Sequence, residues 1–99
     1  MLFRSHSQTA PQTIADGLRG ALSERTLRLA RQYVDDIVTV GEEAILTAMR
    51  TLFDALKVVV EPSGAVPFAA RLEGRVTADR VALILTGGNV DLDHLPFGK

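Results

Sequence analysis

Three short apolar runs, at 37–40, 58–60 and 81–85, alternate with stretches of helical spacing. The runs are largely β-branched, which suits strands. Between them the apolar residues recur every three or four positions, which suits helices. The first helical stretch carries Leu22, Thr26, Leu29, Ala30 and Tyr33, with Ser23 placed to cap its start and Arg25, Arg28, Arg31 and Gln32 on the wet side. The second covers about residues 42 to 56, with Ile45, Met49, Leu52, Phe53 and Leu56 as its stripe. Glu42 and Glu43 in its first turn and Lys57 at its end suit the helix dipole. The third runs from about 63 to 73, with Ala65, Phe68, Ala69 and Leu72 facing inward and Gly74 as the stop. Strands alternating with helices predict an α/β fold: a partial three-layer sheet with flanking helices. The run 81–85 is apolar on both faces, as a central covered strand requires.

Ninety-nine residues make one small domain. A chain of this size buries only about 60–70% of its unfolded surface, so its core is modest. Residues 1–12 are polar and read as a flexible lead-in; residues 13–97 form the folded part. Eleven basic residues lie scattered among twelve acidic ones, which leaves no electrostatic footprint for nucleic acid. No apolar run reaches the roughly 20 residues that span a bilayer, so no membrane association is expected. Cysteine is absent, which excludes disulfides and thiolate metal sites and fits a cytoplasmic protein.

Three places have the residue types for chemistry. Thr86-Gly87-Gly88-Asn89 ends the last apolar run. Ligands of open α/β sheets bind beyond strand ends, and paired glycines let backbone approach a ligand closely. The same glycines also make a tight turn. Glu61 lies between an apolar run and a helix start, where a carboxylate contacts a cofactor or, with Ser63, caps the helix behind Pro62. Asp16-Gly17 is a turn signal. Asp91, Asp93 and His94 share a loop, but no further ligand cluster converges with them, and no metal is assigned.

Four segments resemble a known family, in its order and with compatible gaps. Gln12-Thr13-Ile14-Ala15-Asp16-Gly17-Leu18 is similar to the "P-x-T-I-A-D-G" segment of serine racemases and threonine dehydratases. Val34-Asp35-Asp36-Ile37-Val38-Thr39-Val40 resembles their "V-D-D-I-V-x-V" strand. Lys57-Val58-Val59-Val60-Glu61-Pro62-Ser63-Gly64-Ala65 resembles "K-x-x-x-E-P-S/T-G/A". Leu83-Ile84-Leu85-Thr86-Gly87-Gly88-Asn89-Val90-Asp91-Leu92 is similar to "I-L-S-G-G-N-V-D-L". The chain thus resembles a C-terminal piece of the large domain of a fold-type II, tryptophan synthase beta-like enzyme that uses pyridoxal phosphate (PLP).

The resemblance implies roles. Thr86 matches the hydroxyl facing the pyridine nitrogen, and Glu61 a carboxylate beside the cofactor. Gly17, Gly87 and Gly88 match cofactor-lining positions, and Asp16 the active-site entrance. Lys57 and Asn89 match positions tied in the racemases to a nucleotide effector at a subunit interface. Thr86 replaces the usual Ser, and Gly41 the usual Ser or Thr cap of the second helix. The family's lysine segment "S-F-K-x-R-G-A", its glycine-rich phosphate loop and its cation-binding acids have no counterpart; the lysines are Lys57 and Lys99. No catalytic residue is therefore assigned. The implied whole-enzyme reaction is α,β-elimination from serine or threonine to a 2-oxo acid, with racemisation or elimination from 3-hydroxyaspartate as variants. The chain alone is expected to be inactive and to bind PLP weakly. Its expected partners are the N-terminal half of the enzyme and a second copy of itself. The alternatives are a non-enzymatic interaction or regulatory module, and one half of a split enzyme.

Overall fold

The computed structural model describes residues 9–98. The lead-in predicted for residues 1–12 lies outside the described residues as far as residue 8, and so does Lys99. A 3₁₀ turn at Asp16–Leu18 is followed by three helices: α1, Glu24–Tyr33; α2, Glu42–Leu56; and α3, Pro62–Leu72.

The expected α/β sheet is absent: no strand occurs among the described residues. The runs 37–40, 58–60 and 81–85 keep their apolar character but have no ladder. Among the described residues, none of their backbone groups bonds to another backbone group. The nearest approach to pairing is a single bond from Glu61 N–H to Gly87 O, 3.1 Å. β-Branched composition favours a half-buried pleated surface, but a strand exists only when a neighbour supplies the hydrogen bonds. The Asp16-Gly17 turn signal is realised as the 3₁₀ turn, with Leu18 N–H on Ala15 O and Arg19 N–H on Asp16 O.

The core lies between α2 and α3. Ile45, Ala48, Met49 and Leu52 of α2 meet Ala65 and Ala69 of α3, and Ala15 and Val60 complete the cluster. Small alanines on both helices allow close approach, and Met49 fills the remaining space. The α2 bounds match the sequence pattern, but Phe53 and Leu56 of the expected stripe are exposed. Phe53 instead pairs with Phe97, ring centroids 5.7 Å apart, which holds the C-terminal tail on α2. The helix ends at Lys57 in a left-handed conformation (φ 59°), with its N–H on Phe53 O.

In α3 the N-cap Glu61 makes no side-chain cap bond, and Pro62 opens the helix, where a missing N–H costs nothing. Pro67 is accommodated inside it. Gly74 N–H reaches Arg71 O and Arg75 N–H reaches Ala70 O, the paired closure of a Schellman motif. Leu72 is exposed rather than inward.

Ser23 caps α1 as the sequence indicates, accepting from Thr26 N–H at 3.1 Å. The rest of α1 departs from expectation. Leu29 and Tyr33 are exposed, as is Leu22 just ahead of the helix, and only Leu27 and Ala30 are partly covered. Among the described residues α1 touches neither other helix, whereas α3 contacts both α2 and the 3₁₀ turn. The molecule is a slab, 40 × 36 × 19 Å, with a radius of gyration of 14.5 Å. A compact domain of this length has about 13 Å.

The two-helix core makes the chain sensitive at Met49 and tolerant at Leu56. Met49→Ala should cost about 2–5 kcal/mol, enough to remove most of the cooperative transition. Leu56→Ala should change stability by less than about 0.5 kcal/mol. Urea unfolding followed by circular dichroism distinguishes the two.

Candidate functional site

Three residues in the E-P-S-G turn that opens α3 engage two distant segments. Glu61 donates its N–H to Gly87 O, and its carboxylate lies over Gly87. Ser63 Oγ accepts the Gly17 N–H at 2.9 Å, joining segments 46 residues apart. Gly64 is buried with the Thr86 carbonyl against its Cα. A Cβ on Gly64 would land on that carbonyl oxygen, so helix and loop meet backbone to backbone. Gly87 has φ +72°, and a side chain there would displace the Glu61 carboxylate. Capping by Glu61 and Ser63, one of the two readings of the sequence, does not occur: Glu61 makes no cap bond and the Ser63 hydroxyl takes the Gly17 N–H.

Of the residues singled out in the sequence, Gly17, Glu61, Thr86 and Gly87 therefore come together around one helix turn. Gly88 packs near the Val59 carbonyl. Asp16 is exposed on the 3₁₀ turn, and Asn89 is exposed just beyond the glycines. Lys57 stands apart at the end of α2, its ammonium donating to the Asp54 carbonyl at 2.7 Å. Gly64 lies in the segment that resembles the family's E-P-S/T-G/A motif but was assigned no role, although it is where the closest approach occurs.

The 3₁₀ turn that carries Gly17 is held from its other side by Glu42. Its Oε2 accepts the Ile14 N–H at 2.9 Å. The Thr13 hydroxyl first, then that N–H, then the Arg19 guanidinium hold the Glu42 carboxyl below the ordinary range. Arg19 also donates to the Thr13 carbonyl, 2.6 Å. Glu73 performs a similar task at the far end, accepting the Gly41 N–H at 3.0 Å. Gly41 is the N-cap of α2 and offers no side chain for that purpose.

In the tail, Asp91 accepts from Asp93 N–H at 2.9 Å and pairs with His94 Nδ1 at 2.8 Å. The His94 ring first, then the Asp93 N–H, lower the Asp91 carboxyl. Among the described residues no three metal-capable side chains converge, and no helix is long and apolar enough to cross a membrane.

Sequence and structure comparisons agree on the class. Residues 2–87 match the family described as pyridoxal-phosphate dependent enzyme, and the chain belongs to that family. It is 42% identical over 90 residues to the beta-hydroxyaspartate dehydratase of Paracoccus denitrificans, covering 89% of this chain and 29% of that protein. It is 44% identical to a serine racemase of Oryza sativa subsp. indica, covering 84% and 26%. Among solved structures, T.th. threonine deaminase is 52% identical with a TM-score of 0.79, over 83% of this chain and 31% of that one. Maize serine racemase is 40% identical with a TM-score of 0.80, over 89% and 29%. The chain thus spans less than a third of the length of these relatives. Family membership implies PLP as the cofactor of the intact enzymes.

Three substitutions separate close packing, backbone conformation and charge. Gly64→Ala should unfold or markedly destabilise the chain, because the Thr86 backbone has to move. Gly87→Ala should cost about 1–2 kcal/mol for the left-handed conformation alone. Thermal melts of both variants check the order. For Glu42, a depressed carboxyl stabilises the fold above its unfolded pKa, and that contribution is lost as pH falls through the folded pKa. Glu42→Gln should therefore lower the urea midpoint near neutral pH, and the gap to the unmodified chain should close on acidification below the ordinary value of 4.5.

Proposed function

We propose that the chain supplies the ring-nitrogen side of the cofactor site in a PLP-dependent ammonia-lyase acting on a hydroxy-amino acid. The observation that carries the reading is the convergence of Gly17, Glu61, Thr86 and Gly87 on the first turn of α3. Their chemistry fits one edge of PLP. The Thr86 hydroxyl is exposed and has no hydrogen-bond partner among the described residues, so it is available to a ring nitrogen. Gly87 carries no side chain, and the Glu61 carboxylate lies directly over it. PLP supplies an electron sink when bound. A neutral hydroxyl at 86 shares a proton with the nitrogen without surrendering one as an acid would, which favours elimination over transamination.

The anchoring lysine and the phosphate loop belong to the part of the family's length that these 99 residues do not match. Lys57 does not substitute for that lysine, because the Asp54 carbonyl holds its ammonium at the end of α2. The working unit in this reading is the chain together with a polypeptide carrying the remaining two thirds. The exposed apolar residues of α1 and Ile84 support a partner of that kind, since large apolar side chains left bare seek cover.

Co-expression with the complementary portion of T.th. threonine deaminase tests the reading. The chain alone with PLP should give no 2-oxo acid from serine, threonine or 3-hydroxyaspartate above a PLP blank. The pair should turn over at least one of the three. Thr86→Ala in the pair should weaken PLP by about 0.5–1.5 kcal/mol, the contribution of one hydrogen bond. A pair that assembles but binds no PLP overturns the proposal. A sharp monomer with cooperative, concentration-independent unfolding and no affinity for the complement favours a non-enzymatic module.

A further inference from the structure

The 3₁₀ turn that carries Asp16 and Gly17 hangs between two helices. On the α2 side it is tied at Thr13 and Ile14 by Glu42. On the α3 side, the Ser63 hydroxyl accepts the Gly17 N–H, the one hydrogen bond between the turn and that helix among the described residues. Between the two ties sits Ala15, which is buried and acts as a pivot. The upstream tie fixes the chain entering the turn. The downstream tie fixes the angle at which Asp16 and Gly17 leave it.

Ser63 is free to do this because nothing else needs its side chain. Glu61, two residues earlier, is the N-cap, and no side-chain bond closes this helix start. The fit is close: a Cβ on Gly17 would stand 2.9 Å from Ser63 Oγ and 3.2 Å from Ser63 Cβ. Ser63 also sits between Glu61, which holds Gly87, and Gly64, which abuts Thr86. The hydroxyl therefore sets the separation between the Asp16–Gly17 turn and the Thr86–Gly87 loop.

The geometry points to Ser63 as a positioning residue that places the Asp16–Gly17 turn at the mouth of the site, acting through the Gly17 peptide. The location of that mouth rests on the function proposed above; the placement of the turn does not.

Amide exchange of the full chain, read residue by residue by NMR, tests the placement. In Ser63→Ala the Gly17 amide should exchange roughly tenfold faster, as loss of one hydrogen bond predicts, while the amides of α2 and α3 keep their rates. Ser63→Thr retains the hydroxyl and should restore the Gly17 rate. An unchanged Gly17 rate in Ser63→Ala, or an equal acceleration throughout α2 and α3, overturns the assignment. In the complemented enzyme, Ser63→Ala should raise KM roughly fivefold with kcat altered less than about twofold, the signature of a disturbed entrance rather than a lost reacting group. A fall in kcat at constant KM would contradict it. Failure of the unmodified pair to bind PLP would count against the functional reading alone, since the exchange result is obtained without cofactor.

Discussion

Gly64 lies against the carbonyl of Thr86 with no side chain between them, and most of the molecule's organisation follows from that contact. It brings the first turn of α3 within bonding range of the loop that ends the last apolar run. Glu61 then closes on Gly87 and Ser63 on Gly17. The buried face of α3 behind this turn is made of Ala65 and Ala69, which lets α2 approach with Met49 and Leu52. Site and core are thus two sides of one short helix. A change that pushes α3 outward to admit a larger core residue would also part the glycine loop from the turn. Interiors packed this closely transmit such displacements, having little slack to absorb them.

The helices were legible because their signals are local. Glu42–Leu56 has its acids, its apolar stripe and its stop within its own residues, and Ser23 sits where a cap belongs. The sheet was misread for the opposite reason. Val58, Val59 and Val60 describe a surface that suits a strand, but pairing is a property of two segments, and the second is not found among the described residues. The outward exposure of Leu29, Tyr33 and Leu72 has the same origin: periodicity tells which residues share a face, not whether anything covers that face. At the candidate site, resemblance to serine racemases and threonine dehydratases singled out Gly17, Glu61, Thr86 and Gly87, which the fold brings close together. It did not reveal that Ser63 and Gly64 are what bring them together, because tertiary contacts across 46 and 22 residues leave no periodic trace.

Carboxylates do much of the joining between segments. Glu42 and Glu73 each accept a backbone N–H from a neighbouring stretch, so the ends of α2 and α3 are linked by acceptors on side chains and not by a ladder. Both bonds are solvent-exposed, where water screens and weakens them. The Glu42 link is therefore sensitive to acid, because the bonds its carboxylate accepts hold its pKa down.

Helix α1 has ten residues and touches neither of the other helices among those described. Isolated helices shorter than about 12–15 residues are marginal in water, even with good caps. Its helicity thus depends on what covers Leu22, Leu29 and Tyr33. Of the three helices α1 should therefore open most readily, with protease cuts and fast amide exchange expected there. Tyr33, the chain's single tyrosine, sits at its C-terminal end and makes that segment a built-in fluorescence reporter of whether the surface has been covered.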